Sequence, residues 1–174
     1  MELVGAFSDR DQAQNVAKEL GGRIIVDPRP DTSHLPLVAL VSVDSDTAES
    51  LLDADVGLYL CYRRVQKPRV NNTPSADGSL PGKIAVFPMV RHADLTHRQS
   101  DDHWRDIHTP LALRVHVAMT FYVQLGIVHT IRGPEWDGFA QCGFDTEEDL
   151  RTRFYETKEG EKEKYEMYTP KLYV

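Results

Sequence analysis

The chain has 174 residues, 41% hydrophobic and 27% charged, the proportions of a globular protein able to bury a core of its own. Its formal net charge of −7 argues against a general nucleic-acid binder, which needs a basic footprint, and against docking on anionic membrane. No apolar run is long enough to cross a bilayer. The start MELVGAFSDR lacks the basic stretch and long apolar core of a signal peptide, so a cytoplasmic protein is expected.

The first predicted strand is ELVGAF. A helix follows in SDRDQAQNVAKELGG, with Ser8 as its cap and Asp11 in its first turn. Ala13, Val16, Ala17 and Leu20 recur at helical spacing, and Gly21 and Gly22 end the helix. Two strands, RIIVD and PLVALVSVD, come next. A short helix around DTAESLLDA and a strand VGLYLCYRRV complete a βαββαβ order over residues 1–65. Residues 66–82, QKPRVNNTPSADGSLPG, have no periodicity and read as a linker.

Residues 83–174 repeat the plan. Strand KIAVFPMVR leads to a helix beginning near Thr96, then to strands TFYVQLGIVH and DGFAQCGF. A polar helical stretch from TEEDLRTRF and a final strand KLYV close the half. The expected fold class is therefore α+β, with two ferredoxin-like repeats. Each four-stranded sheet leaves one face bare, and the simplest cover is the other copy. The two halves would then form a dimeric-type α+β barrel with a cavity inside one chain. The alternative is a homodimer in which the second halves of two chains pair.

The stretch HWRDIHTPLA, residues 103–112, holds the main candidate chemistry. Thr96 and Gln99 form a capping box that sets the helix start. On a regular helix Trp104, His108, Leu111 and Val115 fall within an arc of roughly 60°, which places His108 on the buried stripe. Pro110 removes an amide donor and clashes with the preceding turn, so a kink or break is expected, with a freed carbonyl near Asp106. Taken alone, His108 is either a core histidine satisfied by a backbone carbonyl or a general acid/base. Tyr122 and Gln124 share one parity of their strand, so both are expected to face the cavity, with Phe121, Val123, Leu125 and Ile127 under the helices. Arg91 and His92 end the first strand of this half, where a cavity mouth would lie.

Six of the seven histidines lie between His92 and His129, which invites a metal reading. The spacings oppose it: His103 and His108 are five apart and point to different faces, and no CxxC occurs. No GxGxxG after a strand, P-loop or GxSxG is present, so nucleotide-driven and serine-hydrolase chemistry are not expected. Cys61 and Cys142 read as buried free thiols.

The segment LTHRQSDDHWRDIHTPLALRV resembles the signature helix of the EthD family of dimeric α+β barrel proteins: a Trp, three residues, His, a small residue, Pro and an apolar residue. Here these are Trp104, His108, Thr109, Pro110 and Leu111. Tyr122 in FYVQ, DGFAQCGFDTEED and YETKEGEKEKYEM extend the likeness over about residues 83–168. Ser100 departs from the pattern, which has a large apolar residue four positions before the Trp. The first half lacks the Trp/His motif, so the resemblance implies one site per chain. It implies a cofactor-free enzyme taking a small hydrophobic, aromatic or polyketide-like substrate. His108 and Tyr122 would be catalytic, and Trp104, Gln124, Arg91, His92 and Leu111 would bind substrate. The implied reactions are dehydration, cyclisation, isomerisation or decarboxylation. An oxidoreductase of xenobiotic or aromatic degradation and a non-catalytic carrier of a hydrophobic ligand are the alternatives.

Overall fold

The computed structural model describes residues 1–44, 49–157 and 159. The expected closing strand at 171–174, the start of the short helix at 46–48 and most of the last charged run lie outside the described residues. The chain is a mixed α/β protein of two compact units. One comprises Met1–Arg63 with Leu125–Gly138; the other comprises Arg64–Gln124 with the residues from Phe139 on. No helix among the described residues is long and apolar enough to cross a membrane.

In the first unit, β1 (Glu2–Phe7) is followed by α1 (Arg10–Leu20), β2 (Arg23–Val26), β3 (Ala39–Asp44), a 3-10 turn (Glu49–Asp53) and β4 (Gly57–Lys67), of which Gly57–Arg63 belong here. The strands stand in the order β2-β3-β1-β4 and pair antiparallel. Leu3 lies opposite Val43 on one side and Leu60 on the other. Odd-numbered β1 side chains Leu3 and Phe7 meet Val41, Val43 and the α1 residues Ala13, Val16 and Ala17 in one core. The helix begins one residue later than expected. Asp9 caps it by accepting from the Gln12 amide at 2.7 Å, while Ser8 bonds Asp55 instead. Gly21 ends it at φ 62°, a left-handed cap that a side chain resists. Every residue of β1 is buried, so neither face of this part of the sheet is bare.

The turn before Trp136 depends on a glycine. Gly133 has φ 109°, and a Cβ there would stand 2.6 Å from both the Val56 carbonyl oxygen and the Gly57 Cα. Those are backbone atoms and cannot rotate away. Gly133→Ala is expected to cost about 2–4 kcal/mol in chemical denaturation. Wild-type stability would show that the turn yields without strain.

In the second unit the last residues of β4, Arg64–Lys67, precede β5 (Lys83–Met89), α2 (His97–His103), a π turn (Trp104–His108) and α3 (Thr109–Val115). Then come β6 (Phe121–Arg132), β7 (Gly138–Phe144) and α4 (Glu147–Thr152). The strand order here is β4-β6-β7-β5. The loop starts at Pro68, two residues past the expected linker boundary, because Gln66 and Lys67 remain in β4. Trp104, Ala112, Met119 and Tyr122 share a core with Ala85, Cys142 and Phe144. The even-numbered β7 side chains therefore face the helices, and Gly143 faces away, against the Phe121 ring.

Candidate functional site

The helix carrying the sequence motif starts as expected. The Gln99 amide donates to the Thr96 hydroxyl at 3.2 Å, and the Thr96 amide donates to the Gln99 side chain at 2.9 Å. It does not break at Pro110. It widens into a π turn over Trp104–His108, and α3 continues directly from Thr109. The Thr109 amide reaches back five residues to the Trp104 carbonyl, and the Thr109 hydroxyl donates to the same oxygen at 2.8 Å. The physical cause is the proline ring, which would collide with the Asp106 carbonyl in a regular helix. Opening the turn by one residue relieves that clash and keeps the helix intact.

The extra residue changes which side chains point inward. Thr109 takes the inward place after Trp104, followed by Ala112 and Val115, and all four are buried. His108 is therefore not on the buried stripe. It lies half-buried at the flank of the π turn, as does Leu111 on α3, while Ile107 is 60% exposed.

Beneath the π turn is a buried polar cluster. The Trp104 indole N–H donates to the Tyr122 hydroxyl oxygen at 2.9 Å. The Gln124 amide donates to that same oxygen at 3.0 Å and to the Thr109 hydroxyl at 2.8 Å. The Gln124 carbonyl accepts from the Gln66 side chain at 3.0 Å. Tyr122 and Gln124 do share a parity, but it is the helix-facing one. Phe121 and Val123 are the residues on the opposite face. The site thus lies between helix and sheet of the second unit.

The direction of these bonds determines what the cluster can do. Two donors occupy the Tyr122 oxygen. Among the described residues, no acceptor takes its own proton. Burial pushes the phenol pKa well above its usual value, and nearby Cys142 pushes the same way; the Gln124 and Trp104 bonds and the Arg64 charge oppose this more weakly. Tyr122 therefore stays protonated near neutral pH and presents one polarised O–H donor.

Sequence reasoning missed two members of this site. Arg64 and Gln66 come from the end of β4, at the far side of the linker. Arg64 forms a fork on Asp101 of α2, with contacts of 2.7 and 3.2 Å, and its guanidinium lies 5.6 Å from the Trp104 ring centre. The available signal was parity: Arg64 and Gln66 continue the alternation of core-facing Leu58 and Leu60, where polar side chains are out of place.

The other sequence candidates lie apart from the cluster. Arg91 and His92 are exposed beyond the end of β5, and His92 pairs with Asp94 at 3.2 Å. Neither is among the hydrogen-bond partners of Tyr122 or Gln124. Cys61 and Cys142 are buried thiols outside any disulfide, and burial pushes the Cys61 thiol up to about 12, far from a reactive thiolate. Among the described residues, no three His, Cys, Asp or Glu side chains gather as a metal site would require.

Thr109→Val keeps the shape of the side chain but removes the acceptor for Gln124 and the second bond to the Trp104 carbonyl. The expected loss is about 1–3 kcal/mol, read as a lower urea midpoint. An unchanged midpoint would mean that Gln124 finds another partner. Comparison with protein-family models, with curated proteins and with solved structures gave no match for this chain.

Proposed function

We propose that the chain is a cofactor-independent enzyme of the EthD type, acting by acid/base chemistry on a small hydrophobic, aromatic or polyketide-like molecule. The observation that carries this reading is the Tyr122 hydroxyl, which accepts two hydrogen bonds while its own proton is uncommitted among the described residues. Such a group suits a substrate carbonyl oxygen. As a proton leaves the carbon alpha to that carbonyl, charge gathers on the oxygen, and a fixed O–H donor stabilises it. His108, half-buried on the π turn, is the proposed base. It takes the alpha proton and returns it to another carbon in an isomerisation, or to a departing hydroxyl in a dehydration.

The finer architecture belongs to the same proposal. Both halves would be ferredoxin-like units of one α+β barrel. The order β2-β3-β1-β4 in the first unit supports this, as does the matching order β6-β7-β5 in the second. Sedimentation should return the mass of one chain; a dimer joined through second-half sheets would overturn the single-chain barrel.

The functional test uses a panel of aromatic ketones and polyketide-like phenols. His108→Ala should lower turnover by about 10²–10⁴-fold with ligand affinity retained. Near wild-type turnover removes His108 as the base. If no ligand turns over in the wild-type protein and the substitution alters affinity alone, the protein is a carrier. The full burial of Tyr122 and Gln124 suits that second reading, because a closed cluster must open to act.

A further inference from the structure

Arg64 clamps the helix and the indole whose N–H donates to Tyr122. Its guanidinium is held flat by two contacts to Asp101, and Asp101 is also approached by Arg105 at 3.6 Å. The same guanidinium covers the Trp104 ring, a cation–π arrangement that fixes the plane of the indole. The plane of that indole sets the direction of its N–H, and that N–H is one of the two donors on the Tyr122 oxygen. The clamp joins β4 to α2, one helical turn ahead of the π turn. It therefore holds both the element that widens and the ring that reports to the phenol.

We propose that Arg64 is a positioning residue for Tyr122, holding the Trp104 indole so that its N–H polarises the phenol and strengthens it as a proton donor. This rests on the reading of Tyr122 as the donor, and it adds a residue from the other side of the linker to the working site. The charge of Arg64 acts in the same direction, since a cation favours the phenolate. Other titratable and charged groups on the elements around Tyr122 include Asp101 and Asp102 on α2, Arg105, Asp106 and His108 on the π turn and Cys142 on β7. Asp101 neutralises much of Arg64, so orientation of the indole is the larger part of the effect. Lysine cannot replace arginine here, because it has neither the planar fork nor the flat stacking face.

The test is a titration that needs no substrate. A fluorinated tyrosine placed at position 122 brings the phenol into an observable range, and its apparent pKa is read by absorbance in the full chain. Arg64→Met should raise that pKa by about half a unit or more. Arg64→Lys, which keeps the charge, should still raise it and should quicken hydrogen exchange at the Trp104 indole N–H. If Arg64→Met does not fold, Arg64→Lys carries the test alone. Wild-type titration and wild-type indole exchange in the folded variants would overturn the proposal. Those readouts come from the resting protein, so their failure is distinct from a failure of turnover at His108.

Discussion

Tyr122→Phe is expected to lower folding stability by about 2–5 kcal/mol. A Tyr-to-Phe change at a surface costs within about half a kcal/mol, because water replaces the lost partner. Tyr122 is 1% exposed and Gln124 is 0% exposed, so no water stands ready. Removing the hydroxyl leaves the Trp104 indole N–H and one Gln124 N–H without an acceptor, and each buried orphan costs about 1–3 kcal/mol. The mechanism makes a second claim. In the double variant Tyr122→Phe, Gln124→Leu, one orphan disappears with its side chain. The double variant should then be less destabilised than the sum of the two single changes. Urea denaturation of the four proteins gives the coupling directly. A single variant as stable as wild type, or strict additivity, would show that the phenol oxygen is not the shared acceptor.

The sequence made some of this site legible and hid the rest for physical reasons. The capping box is local chemistry between Thr96 and Gln99, so the helix start could be read without tertiary information. Pro110 marked where the helix would be disturbed but not how. A break and a π turn both relieve the same clash, and what favours the π turn is a contact across the core, Thr109 to Gln124. An expectation built on one regular phase then placed His108 inward by one residue too many. On β6 the parity of Tyr122 and Gln124 was sound, but its direction was not. Phe121 through Ile127 are all buried, so the polar parity of Tyr122 and Gln124 marks no solvent face by which to orient the strand. At Ser8 and Asp9 two good capping residues stand side by side, and Asp55 decided between them by engaging Ser8. Arg64 and Gln66 carried only the faint signal of polar side chains on a core-facing parity, and nothing local tied Arg64 in the first half or Gln66 at the linker's start to this site. Only the pairing of β4 with β6 brings them to Trp104 and Gln124.

Trp104→Ala should be as damaging as any substitution in the second unit, about 3–5 kcal/mol by thermal or chemical denaturation. Trp104→Phe separates the causes. It keeps a smaller aromatic platform beneath Arg64 but removes the indole N–H together with part of the ring, so its cost should stay near 1–3 kcal/mol, below that of Ala. The backbone carbonyl that receives both Thr109 bonds survives either change. The π turn should therefore persist in both variants, and the difference between them isolates the ring. Because Arg64 rests on that ring, Ala should also loosen the Arg64–Asp101 fork, seen as faster amide exchange across α2, whereas Phe should not. If Ala costs no more than Phe, the ring adds nothing beyond its N–H. The rigidity of the site would then come from the proline-widened turn alone, and Arg64 would have no platform from which to act on Tyr122.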